Sequence, residues 1–462
     1  MRIEKDIIKQ GYWWLPDKPE NKLFGTLKIS VDGSVSLDIH GLLRVPYGEF
    51  GSYTVFEYEK IFGETEDGKP VILLNCFETN SSIRVGGGIS QTSVNSKFAF
   101  IGTTSKSIDK LEFSKVIFSF EGLSEWLNIS GIEVSHNLEE KKGEIKYEVP
   151  ESILYTLEDD VKFSFDFILN FNSLTRHLID AKVSQKEFIA LEFPKPLEIY
   201  SIIQIISRIL KFFCFATDKS VSMKSLTAIY SNEEQDEYTE IYYRSSPYSE
   251  KSEKMDIHLM LFHFSQICDD FQKLLNNWLK SFDFLEPTFN LYFFTIQNTR
   301  NLESHFLFLA QAIETFHRRT CDEYLFDEPD FDELSAILRE GVNNNKDEYK
   351  DWVENKLRYG NELTLRKRLK KLIEPFNHLF GSKSDRNSFI NQFLNTRNYL
   401  THYDKSLETS ACKDEELLNL GRKCEALLQL HLLKCIEFPE ILFEEVFNNR
   451  ISGKLKYSQR LL

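Results

Sequence analysis

The sequence predicts an α+β multidomain protein. Its N-terminal domain reads as antiparallel and β-rich, sandwich-like or barrel-like with packed helices, and its C-terminal part as an all-α helical bundle. Three observations predict this. Residues 23–193 hold repeated runs of alternating apolar and polar positions, broken by turn signals such as Asp32-Gly33 and Asp67-Gly68, which is the two-residue period of strands with one buried face. From Leu197 the apolar positions fall three and four apart, the period of a helix. The chain has 462 residues, more than the roughly 100–200 that one core organises. It is therefore expected to divide into a β-rich domain over residues 1–250, a helical connector over 251–290 and the bundle over 291–450.

The strands come first. Leu23–Val31 and Ser34–Ile39 flank Asp32-Gly33 as a hairpin. Further strands are expected at Tyr53–Phe62, Val71–Cys76, Lys97–Gly102, Leu111–Phe120, Val161–Phe171 and Ala181–Phe193. Trp13, Trp14 and Trp126 could form a platform for a sugar or a base, but aromatic residues in a sheet more commonly fill its core. Gly86-Gly87-Gly88 lacks the lysine that follows in a phosphate loop and reads as a mobile turn.

Ile199, Ile202, Ile203, Ile206, Ile209, Leu210 and Phe213 lie at helical spacing and predict a helix packed on the sheet, with short strands at Leu226–Tyr230 and Tyr238–Tyr243 closing the unit. The apolar run Ile199–Phe215 is interrupted by Gln204, Arg208 and Lys211 and falls short of the about 20 apolar residues that span a bilayer. It reads as a buried helix, with no membrane partner. After a polar connector at Ser245–Lys254, helices are expected at Leu259–Phe282, ending before Pro287, and at Leu302–Arg319. An acidic loop, Asp322–Glu333, leads to a helix near Leu334–Gly341. The basic amphipathic helix Leu365–Ile373 stops at Pro375. Leu417, Leu420, Cys424, Leu427, Leu428, His431 and Cys435 mark the apolar face of a long closing helix.

A hydrophobic fraction of 42% excludes disorder as the main state. The net charge of −15 excludes a protein that coats nucleic acid over a broad basic surface, while leaving room for a local basic face. Seven cysteines, none paired at two-residue spacing, read as free thiols in a reducing compartment. The charged opening Met1–Asp6 has no apolar stretch of the kind a signal peptide carries. A cytoplasmic location is expected.

Asn395–Asp404 carries the chemistry. It holds Arg397, the adjacent Asn398, and His402 five residues after the arginine. RNA brings its own nucleophile, the 2′-hydroxyl, so a ribonuclease without metal or cofactor needs a group that moves protons and a group that stabilises charge on phosphate. A histidine, with an ordinary pKa near ~6.5, can do the first, and an arginine fork can do the second. Residues five apart on an unbroken helix point about 140° away from each other, so convergence within one chain demands a break between them, with Thr401 and Asp404 as interrupting or capping residues. One histidine per chain is thin equipment for two proton transfers, and a two-fold dimer would bring two copies into one cleft.

The spacing occurs twice, because Arg300-Asn301 and His305 repeat it. His305 precedes a strongly apolar helical run and reads as a helix-start residue, partly buried or capping, whereas His402 is expected in a polar turn among Asn395, Asn398, Thr401 and Asp404, where a ligand can reach it. Arg366, Lys367, Arg368, Lys370 and Lys371 have two open readings, an RNA-backbone contact or an ordinary solvated helix face. Cys424, His431 and Cys435 share a helix face, but without a fourth ligand at suitable spacing they read as buried packing rather than a metal site.

These residues and their order resemble the ApeA-like branch of the HEPN family, in which a β-rich domain precedes a helical HEPN domain. Arg397 to His402 fits the family's Arg-x4-6-His hallmark in type, spacing and place before the last long helix. The likeness extends to Gln311–Glu314, the basic Arg366–Leu372 helix, Leu23–Leu27 and Gly68–Cys76. The resemblance implies a dimeric or higher homo-oligomeric, metal-independent endoribonuclease of bacterial anti-phage defence that acts by abortive infection. It further implies that the N-terminal domain is a sensor or regulator answering a phage-derived trigger, and that Glu314 orients Arg397. The rival is a non-catalytic RNA-binding or dimerisation module with a β-rich ligand sensor.

Overall fold

The computed structural model describes residues 1–44, 56–84, 88–102, 111–139, 141–172, 182–231, 236–250, 255–297 and 301–456. They fall into two compact units, Met1–Asn276 and Asn277–Leu462.

In the first unit, β1 (Ile7–Trp14), β2 (Leu23–Ile29), β3 (Val35–His40), β4 (Glu57–Thr65), β5 (Pro70–Ser82) and β6 (Gln91–Ile101) pair in the order β6-β3-β2-β1-β4-β5, and β5 returns to β6. Every pairing is antiparallel, so this is a closed six-stranded barrel with no free edge around the ring. The Asp32-Gly33 hairpin forms as the sequence predicts: Gly33 takes φ 81° and Ser34 donates to both Asp32 oxygens, at 3.0 Å from its amide and 2.8 Å from its hydroxyl. Strand β6 also carries the barrel into a second sheet. Residues 91–96 bond β3, while Ala99–Ile101 bond β14 on the same side.

That second sheet runs β14 (Asp236–Tyr242), β13 (Met223–Ser231), β7 (Glu112–Phe120), β12 (Lys182–Glu198), β11 (Lys162–Asn172) and β10 (Ile153–Thr156). A separate hairpin of β8 (Ile132–Asn137) and β9 (Lys142–Tyr147) lies outside the strands expected from the sequence, as do β1 and β10. Helix α2 (Ile199–Thr217), which has the length and composition of a membrane span, buries Ile202, Ile206, Ile209, Leu210, Phe212 and Phe213 in the core. The short α1 (Leu123–Leu127) supplies Trp126, whose ring packs edge-on to Phe213 at 4.9 Å while its Nε1 donates to the Phe262 carbonyl at 3.0 Å.

Trp13 and Trp126 are fully buried and fill cores, while Trp14 is half-buried under the Lys22 ammonium. Trp13 lies inside the barrel against two backbones. A methyl group on Gly63 would land on its six-membered ring, and one on Gly25 would sit 3.0 Å from its Cδ1. The start of the expected strand at Tyr53, Gly86 and Gly87 of the glycine run, and residues 251–254 of the connector lie outside the described residues.

One helical expectation is corrected. In place of a helix over Leu259–Phe282 that stops before Pro287, there are α3 (Phe264–Ile267) and a 27-residue α4 (Phe271–Gln297) with Pro287 inside it. The carbonyl that loses its partner belongs to Asp283, an exposed position where water can satisfy it, and the turns beyond are held by the buried Phe289, Tyr292 and Phe293.

The remaining helices of the second unit are α5 (Leu302–Thr320), α6 (Glu328–Val342), α7 (Asp347–Leu357), α8 (Leu365–Ile373), α9 (Lys383–His402), α10 (Asp414–Cys435), α11 (Glu440–Val446) and α12 (Ser452–Lys456). Pro329 opens α6 instead of lengthening the acidic loop, since a first-turn proline loses no helical hydrogen bond. Helices α5, α8, α9 and α10 share a core containing Phe306, Leu309, Ile313, Leu372, Phe393 and Leu427, with Phe306 and Phe393 edge-to-face at 5.6 Å.

Gly63→Ala forces a methyl group against the Trp13 ring. We expect a loss of about 1–3 kcal/mol, as overpacked cores show, read as a lower urea midpoint for the full-length protein.

Candidate active site

Helix α9 begins at a capping box: the Ser382 hydroxyl accepts from the Asp385 amide at 3.3 Å and the Asp385 carboxylate from the Ser382 amide at 2.8 Å. Phe389, Ile390, Phe393, Thr396 and Leu400 form its buried face. The helix ends where Tyr403 turns left-handed at φ 51°. It is therefore unbroken from Arg397 through His402, and the expected break between them is absent. Thr401 donates back to the Arg397 carbonyl at 2.7 Å instead of interrupting the turn, and Asp404 caps the next short helix at Ser406. Arg397 and His402 therefore sit about 7.5 Å apart along the axis and point about 140° away from each other.

Arg397 and Asn398 are half-buried and His402 is exposed. The Arg397 Nη1 donates to the Asn398 Oδ1 at 3.3 Å, a long bond, and its Nη2 lies 3.7 Å from the Glu314 Oε2 on α5. Glu314 thus faces Arg397 across the bundle. The His402 side chain has no hydrogen bond to another described residue. Asp404 is held below the usual carboxylate range chiefly by the Ser406 backbone and side-chain hydrogen bonds, with the nearby His402 contributing least.

The basic helix α8 does not present all five cations on one face. Arg366, Lys367 and Lys370 are exposed and Lys371 pairs with Glu323. Arg368 is buried: its Nε donates to the Leu363 carbonyl at 2.9 Å, its Nη1 meets the His317 Nδ1 at 3.1 Å, and its Nη2 reaches Glu362 at 3.5 Å. A guanidinium committed to three internal acceptors is not available to an RNA backbone, which removes Arg368 from the expected contact face.

Two further residues belong to this assembly, Arg318 and Glu362. Arg318 donates to the Glu314 Oε1 from Nε at 3.2 Å and Nη2 at 3.1 Å, and pairs with Glu362 at 2.6 Å. The four-residue spacing of Glu314 and Arg318 signals half of it in the sequence. Nothing local signals Glu362, 44 residues further on.

Arg300 of the second Arg-Asn-x-x-x-His lies outside the described residues. Its Asn301 caps α5 by accepting from the Ser304 amide at 2.9 Å, and His305 is half-buried against Gly421, its pKa lowered by burial first and by Lys454 second. His431 is buried between Phe316 and Phe376, its Nε2 bonded to the Leu372 carbonyl at 2.9 Å. Cys424 is fully buried.

Two family models match the chain in order. The ApeA N-terminal domain 1 covers residues 8–278 and the Apea-like HEPN domain covers residues 307–442. No curated protein and no solved structure matches the chain.

Arg368→Ala leaves buried acceptors unpaired and should cost about 3 kcal/mol in urea unfolding, whereas Arg366→Ala, Lys367→Ala and Lys370→Ala should each stay within about 0.5 kcal/mol. Burial, before any neighbouring charge, pushes both His317 and His431 down to about 4. Between the ordinary histidine range and that value the unfolded chain binds more protons, so stability falls as pH drops from 6.5 toward 4. Ring proton shifts followed by NMR should leave both histidines neutral until about pH 4.

Proposed function

The chain belongs to the ApeA-like HEPN family, and on that premise we propose that it is a metal-independent endoribonuclease of anti-phage defence acting by abortive infection, controlled through its barrel-bearing N-terminal domain. The family is one of anti-phage nucleases, and HEPN domains are generally ribonuclease domains. One observation carries the site assignment: the last two turns of α9 combine a half-buried Arg397, held only at 3.7 Å by Glu314, with an exposed His402 whose side chain has no hydrogen bond to another described residue. One group is ready to meet a phosphate and the other to exchange a proton.

In this mechanism His402 takes the 2′-hydroxyl proton or supplies one to the leaving 5′-oxygen. Arg397, steadied by Asn398, meets the charge that builds on the phosphoryl oxygens. The attacking 2′-oxygen forms the new bond to phosphorus as the bond to the 5′-oxygen breaks, leaving a 2′,3′-cyclic phosphate and a 5′-hydroxyl. Because an unbroken helix turns Arg397 and His402 apart, a two-fold dimer placing the ends of two α9 helices in one cleft supplies an arginine and both proton carriers. Arg366, Lys367 and Lys370 are the exposed α8 cations placed to track the RNA backbone.

His402→Ala should lower RNA cleavage in triggered cells by about 10²–10⁴-fold and Arg397→Ala by about 10²–10³-fold, with melting temperatures unchanged. Cleavage should survive a chelator, and mapped fragment ends should be cyclic phosphates that depend on His402. Equal cleavage by wild type and His402→Ala, or RNA binding without cleavage, would instead favour a non-catalytic module. A dimer whose two His402 copies lie far apart would count against the shared cleft.

A further inference from the structure

We propose that Arg318, anchored by Glu362, is a positioning residue that keeps Arg397 open to phosphate by occupying Glu314. This rests on the ribonuclease reading of Arg397 and adds to it a residue from outside the motif.

The argument begins with the two oxygens of one carboxylate. Glu314 Oε1 accepts twice from Arg318, at 3.1 and 3.2 Å, and these are full hydrogen bonds. Glu314 Oε2 faces Arg397 at 3.7 Å, beyond hydrogen-bond distance. A free carboxylate beside a guanidinium closes to a bidentate pair with N–O distances of about 2.7–2.9 Å. Here Arg318 holds the carboxylate back, one helical turn along α5. The rotamer of Arg318 is fixed in turn at its far side, where Nη1 donates to Glu362 at 2.6 Å. Glu362 also takes Arg368, which is locked in the bundle by Leu363 and His317. The chain of contacts therefore runs from a buried anchor outward to Arg397, and charge alternates along it.

The consequence is specific. Arg397 keeps a negative neighbour close enough to aim its guanidinium but too far to neutralise it. Without Arg318, Glu314 is free to close on Arg397 and compete with the phosphate for the same nitrogens. The structure thus assigns Arg318 a role through Glu314, with no contact to RNA.

The test uses full-length protein carrying Arg318→Met, alone and combined with Glu314→Gln, with two readouts. The first is the rate at which phenylglyoxal modifies Arg397, followed by peptide mass spectrometry, which needs no RNA. The second is RNA cleavage under the triggering condition. Arg318→Met should slow Arg397 modification and lower kcat/KM by about fivefold, the scale of a partly exposed ion pair. The double variant should recover the Arg397 modification rate, because a neutral amide does not compete for the guanidinium, but not full cleavage, because the charge that aims Arg397 is gone. Equal Arg397 modification in wild type and Arg318→Met would overturn the proposal, as would a double variant modified no faster than the single one. If the modification pattern holds while the wild type cuts no RNA, the positioning stands and the ribonuclease reading fails.

Discussion

One carboxylate, Glu314, holds the candidate site in its present form. It faces Arg397 from across the bundle, yet its hydrogen bonds go to Arg318, and that arginine leans on Glu362 and, through it, on the buried Arg368. The order of the chain of contacts matters physically. Its inner end, with Arg368 bonded to Leu363 and His317, is shielded from water, where a lost partner is costly. Its outer end, at Arg397, is half-exposed and loosely held, where charge remains available to a ligand. A rigid interior thus positions a guanidinium that has not been neutralised.

The N-terminal unit follows a different logic, set by one strand. β6 pairs with β5 along its length on one side and divides its other side between β3 and β14. The first pairing closes the barrel, and the second passes the hydrogen-bond ladder into the open sheet. Closure needs the barrel interior to accept Trp13, and the bare backbone at Gly25 and Gly63 leaves room for its ring. Helix α2 and Trp126 then fill the second sheet's core with a dense group of aromatic rings.

Much of this was legible in the residues. Period and turn chemistry predicted the β-rich half, the Asp32-Gly33 hairpin, the buried helix after Leu197 and the all-α half, because each depends on spacing within a short window. Strand β1 carries no clear strand period because its Lys9-Gln10-Gly11 stretch interrupts the alternation, and α7 carries no apolar stripe because its sequence is polar, with only Val353 and Leu357 buried. Pro287 misled for a physical reason: proline ends a helix on its own, but packing on both sides can hold one together across it. The basic helix α8 shows the same limit in charge. Five cations read alike in sequence, yet Arg368 turns inward and Lys371 is paired, so three remain exposed.

The sequence by itself determined the fold class, the order of a β-rich part before a helical one, and the residue types at the candidate site, because period, turn signals and motif spacing are local properties of the chain. It did not decide where those side chains point or what restrains them. The continuity of α9 through His402, the hold of Glu314 on Arg397 and the link through Arg318 to Glu362 bring together residues from 4 to 83 positions apart. Such contacts depend on how helices pack, and no local pattern in the chain encodes that packing.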